Sequence, residues 1–91
     1  MLHNQVLLVG RLRNRGIREM VDGQNALCLR LSVPNDKNYD LDPHNILIHY
    51  VTDNYKMFYG MIGQPIAVNA YIDTKHGMRI IASDIALIEV Q

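Results

Sequence analysis

The strongest constraint on this chain is the order in which its apolar periodicities change. Five short apolar runs read as strands, each bounded by turn residues: "NQVLLVGRL" (4–12), "ALCLRLSV" (26–33), "NILIHYV" (45–51), "IAVNAYID" (66–73) and "MRIIASDIALIEV" (78–90). In the second run Leu27, Leu29, Leu31 and Val33 alternate with Cys28, Arg30 and Ser32, the period of a half-buried strand. The fourth run alternates likewise, with Ile66, Val68, Ala70 and Ile72 inward and Asn69, Tyr71 and Asp73 outward. The third is apolar on both faces, and the fifth is long enough to need a bend near Ser83–Asp84. Between the third and fourth lies "TDNYKMFYGMIG" (52–63), where Tyr55, Phe58, Tyr59 and Ile62 fall at i, i+3, i+4 and i+7. That spacing predicts an amphipathic helix, started by Thr52 or Asp53 and ended at Gly63.

Strand, strand, strand, helix, strand, strand is the order of a five-stranded OB-fold barrel, all-β with one short helix between strands three and four. The chain has 91 residues, so the expectation is one OB-fold domain spanning 1–91. A barrel of this kind needs its first strand to serve both halves of the sheet, and Gly10 in mid-strand permits the bulge or corner that this requires. Arg11 then leaves the core where the strand turns. So short a chain buries only about 60–65% of its unfolded surface, and self-association is expected to help stabilise it. Val6, Leu8 and Ile48 are the candidates for that intersubunit surface. Nine basic and nine acidic residues cancel, so any electrostatic function must come from local clustering. The single cysteine, Cys28, excludes an intrachain disulfide and reads as a small apolar residue. The first apolar run is too short for a signal peptide or a membrane span, which points to a cytoplasmic protein without membrane contact.

The residues also carry a resemblance. "MLHNQVLLVGRL" is similar to the opening of bacterial single-stranded DNA-binding proteins, where a Met-apolar-Asn segment precedes a Val-apolar-Val-Gly-Arg/Asn-Leu strand. "GIREMVDGQNALCLRLSV" resembles their next segment, and "IIASDIALIE" their last strand, so the resemblance covers nearly the whole chain. It implies an OB-fold, a homodimer or homotetramer built partly through strand one, and single-stranded DNA as ligand. The pattern departs from the family at several points. The family stacks bases largely on tryptophan and phenylalanine, whereas this chain has no Trp and one Phe. Glu19 stands where the family often has an aromatic, the hairpin "DTKHGMR" (73–79) is short, and no Gly/Pro/Gln-rich tail with an acidic tip follows Gln91. The expectation is a short form without that C-terminal tail.

Binding a single strand requires a basic groove and flat side chains on which bases stack. Arg11, Arg13, Arg15 and Arg18 lie at the end of strand one and in the loop after it, a loop that borders the ligand face in OB-folds. Arg30 interrupts the outward side of strand two, and Lys75 and Arg79 flank the hairpin between strands four and five. With the acidic residues mainly at Asp36, Asp40, Asp42 and Asp53, a one-sided charge distribution is expected. Five tyrosines stand in for the missing tryptophans: Tyr39 and Tyr50 as stacking platforms, Tyr71 outward on strand four, and Tyr55 and Tyr59 in the core. The expected nucleic-acid-binding set is Arg11, Arg13, Arg18, Arg30, Tyr39, Tyr50, Tyr71, Lys75 and Arg79.

Catalytic readings find little support. "DKNYDLD" (36–42) starts like a calcium loop, but Leu41 replaces the required Gly and Leu47 the terminal Glu. His3, His44, His49 and His76 lack zinc-ligand spacing, and no phosphate loop or nucleophile elbow is present. The expectation is a protein that is not an enzyme and has no metal or cofactor. It would bind single-stranded DNA without sequence preference in replication, recombination or mobile-element transfer, with replication proteins as possible partners. The alternative is an OB-fold protein that mainly binds other proteins in replication restart, resembling primosomal replication protein N, and a third reading is a purely structural oligomerisation domain.

Overall fold

A computed structural model describes residues 2–35 and 42–88. Six strands follow in chain order: β1 (Val6–Leu12), β2 (Ile17–Val21), β3 (Gln24–Val33), β4 (His44–Val51), β5 (Pro65–Asp73) and β6 (Arg79–Leu87). They form one sheet in the order β1-β5-β6-β4-β3-β2, which an additional β1–β3 pairing closes. Five strands therefore make the barrel, and β2 extends β3 as a hairpin flap. All pairings are antiparallel except β4–β6, which is parallel.

Alternation builds the core. Leu27, Leu29 and Leu31 of β3 are fully buried with Leu12, Ile48, Ile66, Val68 and Phe58. Closure depends on Gly10, though not through a bulge. Its pairing with β5 runs unbroken from Val6↔Ala70 to Arg11↔Pro65, and β1 meets β3 at Arg11↔Ser32 and Leu12↔Leu31. A Cβ on Gly10 would lie 2.3 Å from the Ser32 carbonyl oxygen, so glycine is required there by close backbone approach. The expected bend in the last strand is present: Asn69 pairs with Asp84 and Ala70 with Ala82, leaving Ser83 as the extra residue of a β-bulge.

Three expectations are corrected. The described residues 52–63 form linked turns and no helix. Backbone bonds from Met57 to Asn54, Tyr59 to Lys56, Met61 to Phe58 and Gln64 to Met61 all span three residues. Gly60, at φ 79°, interrupts helical geometry in mid-segment. Phe58 is buried and Tyr55 packs against the core, but Tyr59 and Ile62 are 46% and 56% exposed, so only half of the stripe faces inward.

A strand at 17–21 was not expected, although its signal is in the sequence. Asp22 and Gly23, at φ 50° and 80°, make the two-residue turn of a hairpin that pairs Val21 with Gln24. Finally, Val6, Leu8 and Ile48 are not an outer surface. Ile48 is fully buried, and Val6 and Leu8 pack on the core. The outward residues are their neighbours Leu7, Val9 and Leu47, at 66%, 48% and 55% exposure, because strand parity is the reverse of that expected.

Candidate nucleic-acid interface

Residues paired across a ladder share a face, so register defines the outer surface of the sheet. One row runs Ile17–Cys28–His49–Ile81–Tyr71 across β2, β3, β4, β6 and β5. Arg30 and Leu47 pair in the neighbouring row. A groove lined by Asn14, Arg15, Ile17, Cys28, Arg30 and Leu47 opens on this face. The loop after β1 is fastened beside it, since Arg13 N donates to Arg30 O (2.8 Å) and Arg30 N to Asn14 Oδ1 (3.0 Å). Both arginine side chains are exposed, Arg30 in the wall of this groove and Arg13 in a neighbouring one with Val9, Gly10, Arg11 and Ser32.

The far end of the face is closed by ion pairs. Arg79 Nη2 donates to Asp73 Oδ2 (2.9 Å) and lies 3.8 Å from Asp22, while His76 Nε2 is 3.6 Å from the same carboxylate. The turn of the β2–β3 hairpin is thereby joined to the β5–β6 hairpin above the small apolar cluster Val21, Ala26 and Ile81. The hydrogen bond from Arg79 holds the Asp73 carboxyl below its ordinary value of 3.8, and the same bond pushes the guanidinium up. A carboxyl depressed in the folded state stabilises the fold above its unfolded value, and this contribution disappears as pH falls through the folded one. Asp73→Asn should therefore melt below the parent at neutral pH and converge with it in acid. Parallel melting curves from neutral pH into acid would show that the pair does not stabilise the fold.

In the middle of the face, His49 Nδ1 donates to Glu19 Oε1 at 2.5 Å, and both groups are part-buried. Burial, and then the nearby Glu19 charge, push the Cys28 thiol above its ordinary value.

The nine expected site residues do not form one surface. Arg13 and Arg30 are joined through their backbones beside the groove that Arg30 lines, and Tyr71, 40% exposed, lies on the same face as Arg30. Arg11 donates to Gly63 O (2.9 Å). Arg18 pairs with buried Leu27 and stands over the Tyr55 ring at 4.2 Å, away from Arg30. Arg15 covers Tyr59 at 4.8 Å. Tyr50 also has core-side parity, opposite Leu27, and meets Phe58 edge to face at a centroid distance of 6.1 Å. Lys75 is exposed in the β5–β6 hairpin, whereas Arg79 is engaged by carboxylates. Tyr39 lies outside the described residues. The expected charge separation is also incomplete, because Glu19, Asp22 and Asp73 stand on or beside this face. Sequence spacing gave no indication that Glu19, Cys28 and His49 would meet; only the hairpin register brings them together.

This closed barrel, with its parallel β4–β6 contact and a groove across β3 and β4, defines an OB-fold. Solved structures of that fold match 96–100% of the chain. The mitochondrial single-stranded DNA-binding protein of S. cerevisiae has a TM-score of 0.73 at 16% identity, covering 100% of both chains. The dimeric N-terminal domain of PriB from Thermoanaerobacter tencongensis has a TM-score of 0.70 at 18% identity, covering 96% of this chain and 98% of that one. The small single-stranded DNA-binding protein of Streptomyces coelicolor has a TM-score of 0.69 at 15% identity, covering 97% and 96%. At these identities the likeness establishes the fold. No protein-family model and no curated protein matches the sequence.

Proposed function

We propose that this protein binds single-stranded DNA without sequence preference, along the outer face of β3 and β4. The observation that carries this reading is Arg30 in the wall of a groove whose apolar side chains Ile17 and Leu47 are exposed, with Arg13 fastened beside it by the bond from Arg13 N to Arg30 O. Phosphates would be held by Arg13, Arg30, Arg11 and Lys75, and a base would stack on Tyr71. Two of the matched structures are of single-stranded DNA-binding proteins, which supports this reading. Such a module would protect or present single strands in replication, recombination or mobile-element transfer.

Self-association belongs to the same reading. Val6–Gly10 pair with β5 on one side, and among the described residues only Arg11 and Leu12 pair with β3 on the other. The free edge, with outward Leu7 and Val9, suits a homodimer or homotetramer. The protein-binding alternative would use those same exposed apolar residues.

The tyrosines provide a test that separates binding from folding. Tyr71→Ala should weaken binding of dT oligomers about fivefold to tenfold, the low end of base stacking, and leave the melting temperature nearly unchanged. Tyr71→Phe should be almost neutral, because stacking uses the ring. Tyr50→Ala should lower the melting temperature, since it removes a ring packed on Phe58. If Tyr71→Ala binds like the parent, stacking at this position is wrong.

A further inference from the structure

Glu19, Cys28 and His49 come from three adjacent strands, and a ligand atom from each lies within 4.8 Å of the others. Cys28 faces His49 directly in the β3–β4 ladder, and Glu19 lies one ladder step away on β2. We propose that this trio is a binding site for one Zn²⁺ ion, held by Cys28 Sγ, His49 Nδ1 and a Glu19 carboxylate oxygen.

The donor set suits a borderline-soft ion: one thiolate, one imidazole and one carboxylate, with a fourth tetrahedral position left for water. Zn–S near 2.3 Å and Zn–N near 2.0 Å at a tetrahedral angle place neighbouring ligand atoms about 3.5 Å apart. The Glu19–His49 contact of 2.5 Å must therefore open, and any separation near 4.8 Å must close, each by about 1 Å. Rotation of three side chains on fixed strands accomplishes this. Binding replaces the Glu19–His49 hydrogen bond with two metal bonds, shifts the His49 proton from Nδ1 to Nε2 so that Nδ1 can ligate, and releases the Cys28 thiol proton to solvent.

Part-burial of all three residues limits competition from bulk water and leaves the fourth position accessible from the face. Spacing along the chain could not reveal the site, because its ligands are joined by register. If the proposed strand-binding reading holds, the ion would also cancel the Glu19 charge in the middle of the DNA path. The site itself does not depend on that reading.

Co²⁺ added to the reduced, metal-free protein without DNA provides the test. The expected result is one equivalent bound per chain, with sulfur-to-cobalt charge-transfer absorption and strong four-coordinate visible bands, all displaced by Zn²⁺. Cys28→Ser should abolish the charge-transfer band. His49→Gln and Glu19→Gln should each weaken binding by at least the roughly tenfold that loss of a mere supporting partner costs. His76→Gln, outside the site, should change nothing. Weak six-coordinate bands, one metal per two chains, or unaltered affinity in folded His49→Gln would each overturn the proposal.

Discussion

Phe58→Ala is expected to cost about 3–5 kcal/mol of stability, the range for removing a buried aromatic ring. Phe58 is the one large apolar side chain that the segment between β4 and β5 inserts fully into the barrel. It meets Tyr50 of β4 edge to face and belongs to the same buried cluster as Leu12 of β1 and Leu27 of β3. The segment has no helical hydrogen-bond ladder of its own to keep it in place. Losing the ring therefore leaves a cavity and also releases the plug at that end of the barrel. For a domain of this size the melting temperature should fall by at least about 12 °C. A smaller loss, within about 1 kcal/mol, would mean that the turns hold without their anchor.

Gly10→Ala is expected to destabilise by about 3 kcal/mol or more, at or above the upper end for overpacking. The new methyl group would lie 2.3 Å from the Ser32 carbonyl oxygen and 3.0 Å from its carbon, both backbone atoms. No rotamer change relieves this, so β1 must move away from β3 where the barrel closes. Ser32→Gly should not rescue the variant, because the obstructing atom belongs to the main chain. A Gly10→Ala protein that melts like the parent would contradict the described crossing of β1 and β3.

The barrel was largely legible in the sequence because strand alternation is a local signal. Leu27, Leu29 and Leu31 announce their burial by spacing alone, and all are fully buried. The Asp22–Gly23 turn was equally local, but at five residues the preceding "IREMV" was too short to register as periodic. The 52–63 stripe misled for the opposite reason. Phe58 and Tyr55 pack on the core at a helical spacing that linked three-residue turns reproduce as well.

The candidate site was less legible, since a face is a property of register. Arg18 and Arg30 are both expected to contact the strand, yet Arg18 pairs with buried Leu27 and Arg30 with exposed Leu47. A change of parity by one residue likewise separates Tyr50, beside the core, from His49 on the outer face. Glu19, Cys28 and His49 are the extreme case, because no local pattern links them.

The central claim is that Arg13, Arg30 and their cationic neighbours track a phosphate backbone, and a salt titration tests it most directly. Affinity for a labelled dT oligomer should be measured over a series of salt concentrations. With three or four phosphates neutralised at about −0.7 each, the log–log slope should be about −2 to −3. Arg30→Ala should make the slope shallower by about 0.7 and weaken binding to every base composition alike. Absence of binding at low salt, or an affinity that does not change with salt, would contradict the account.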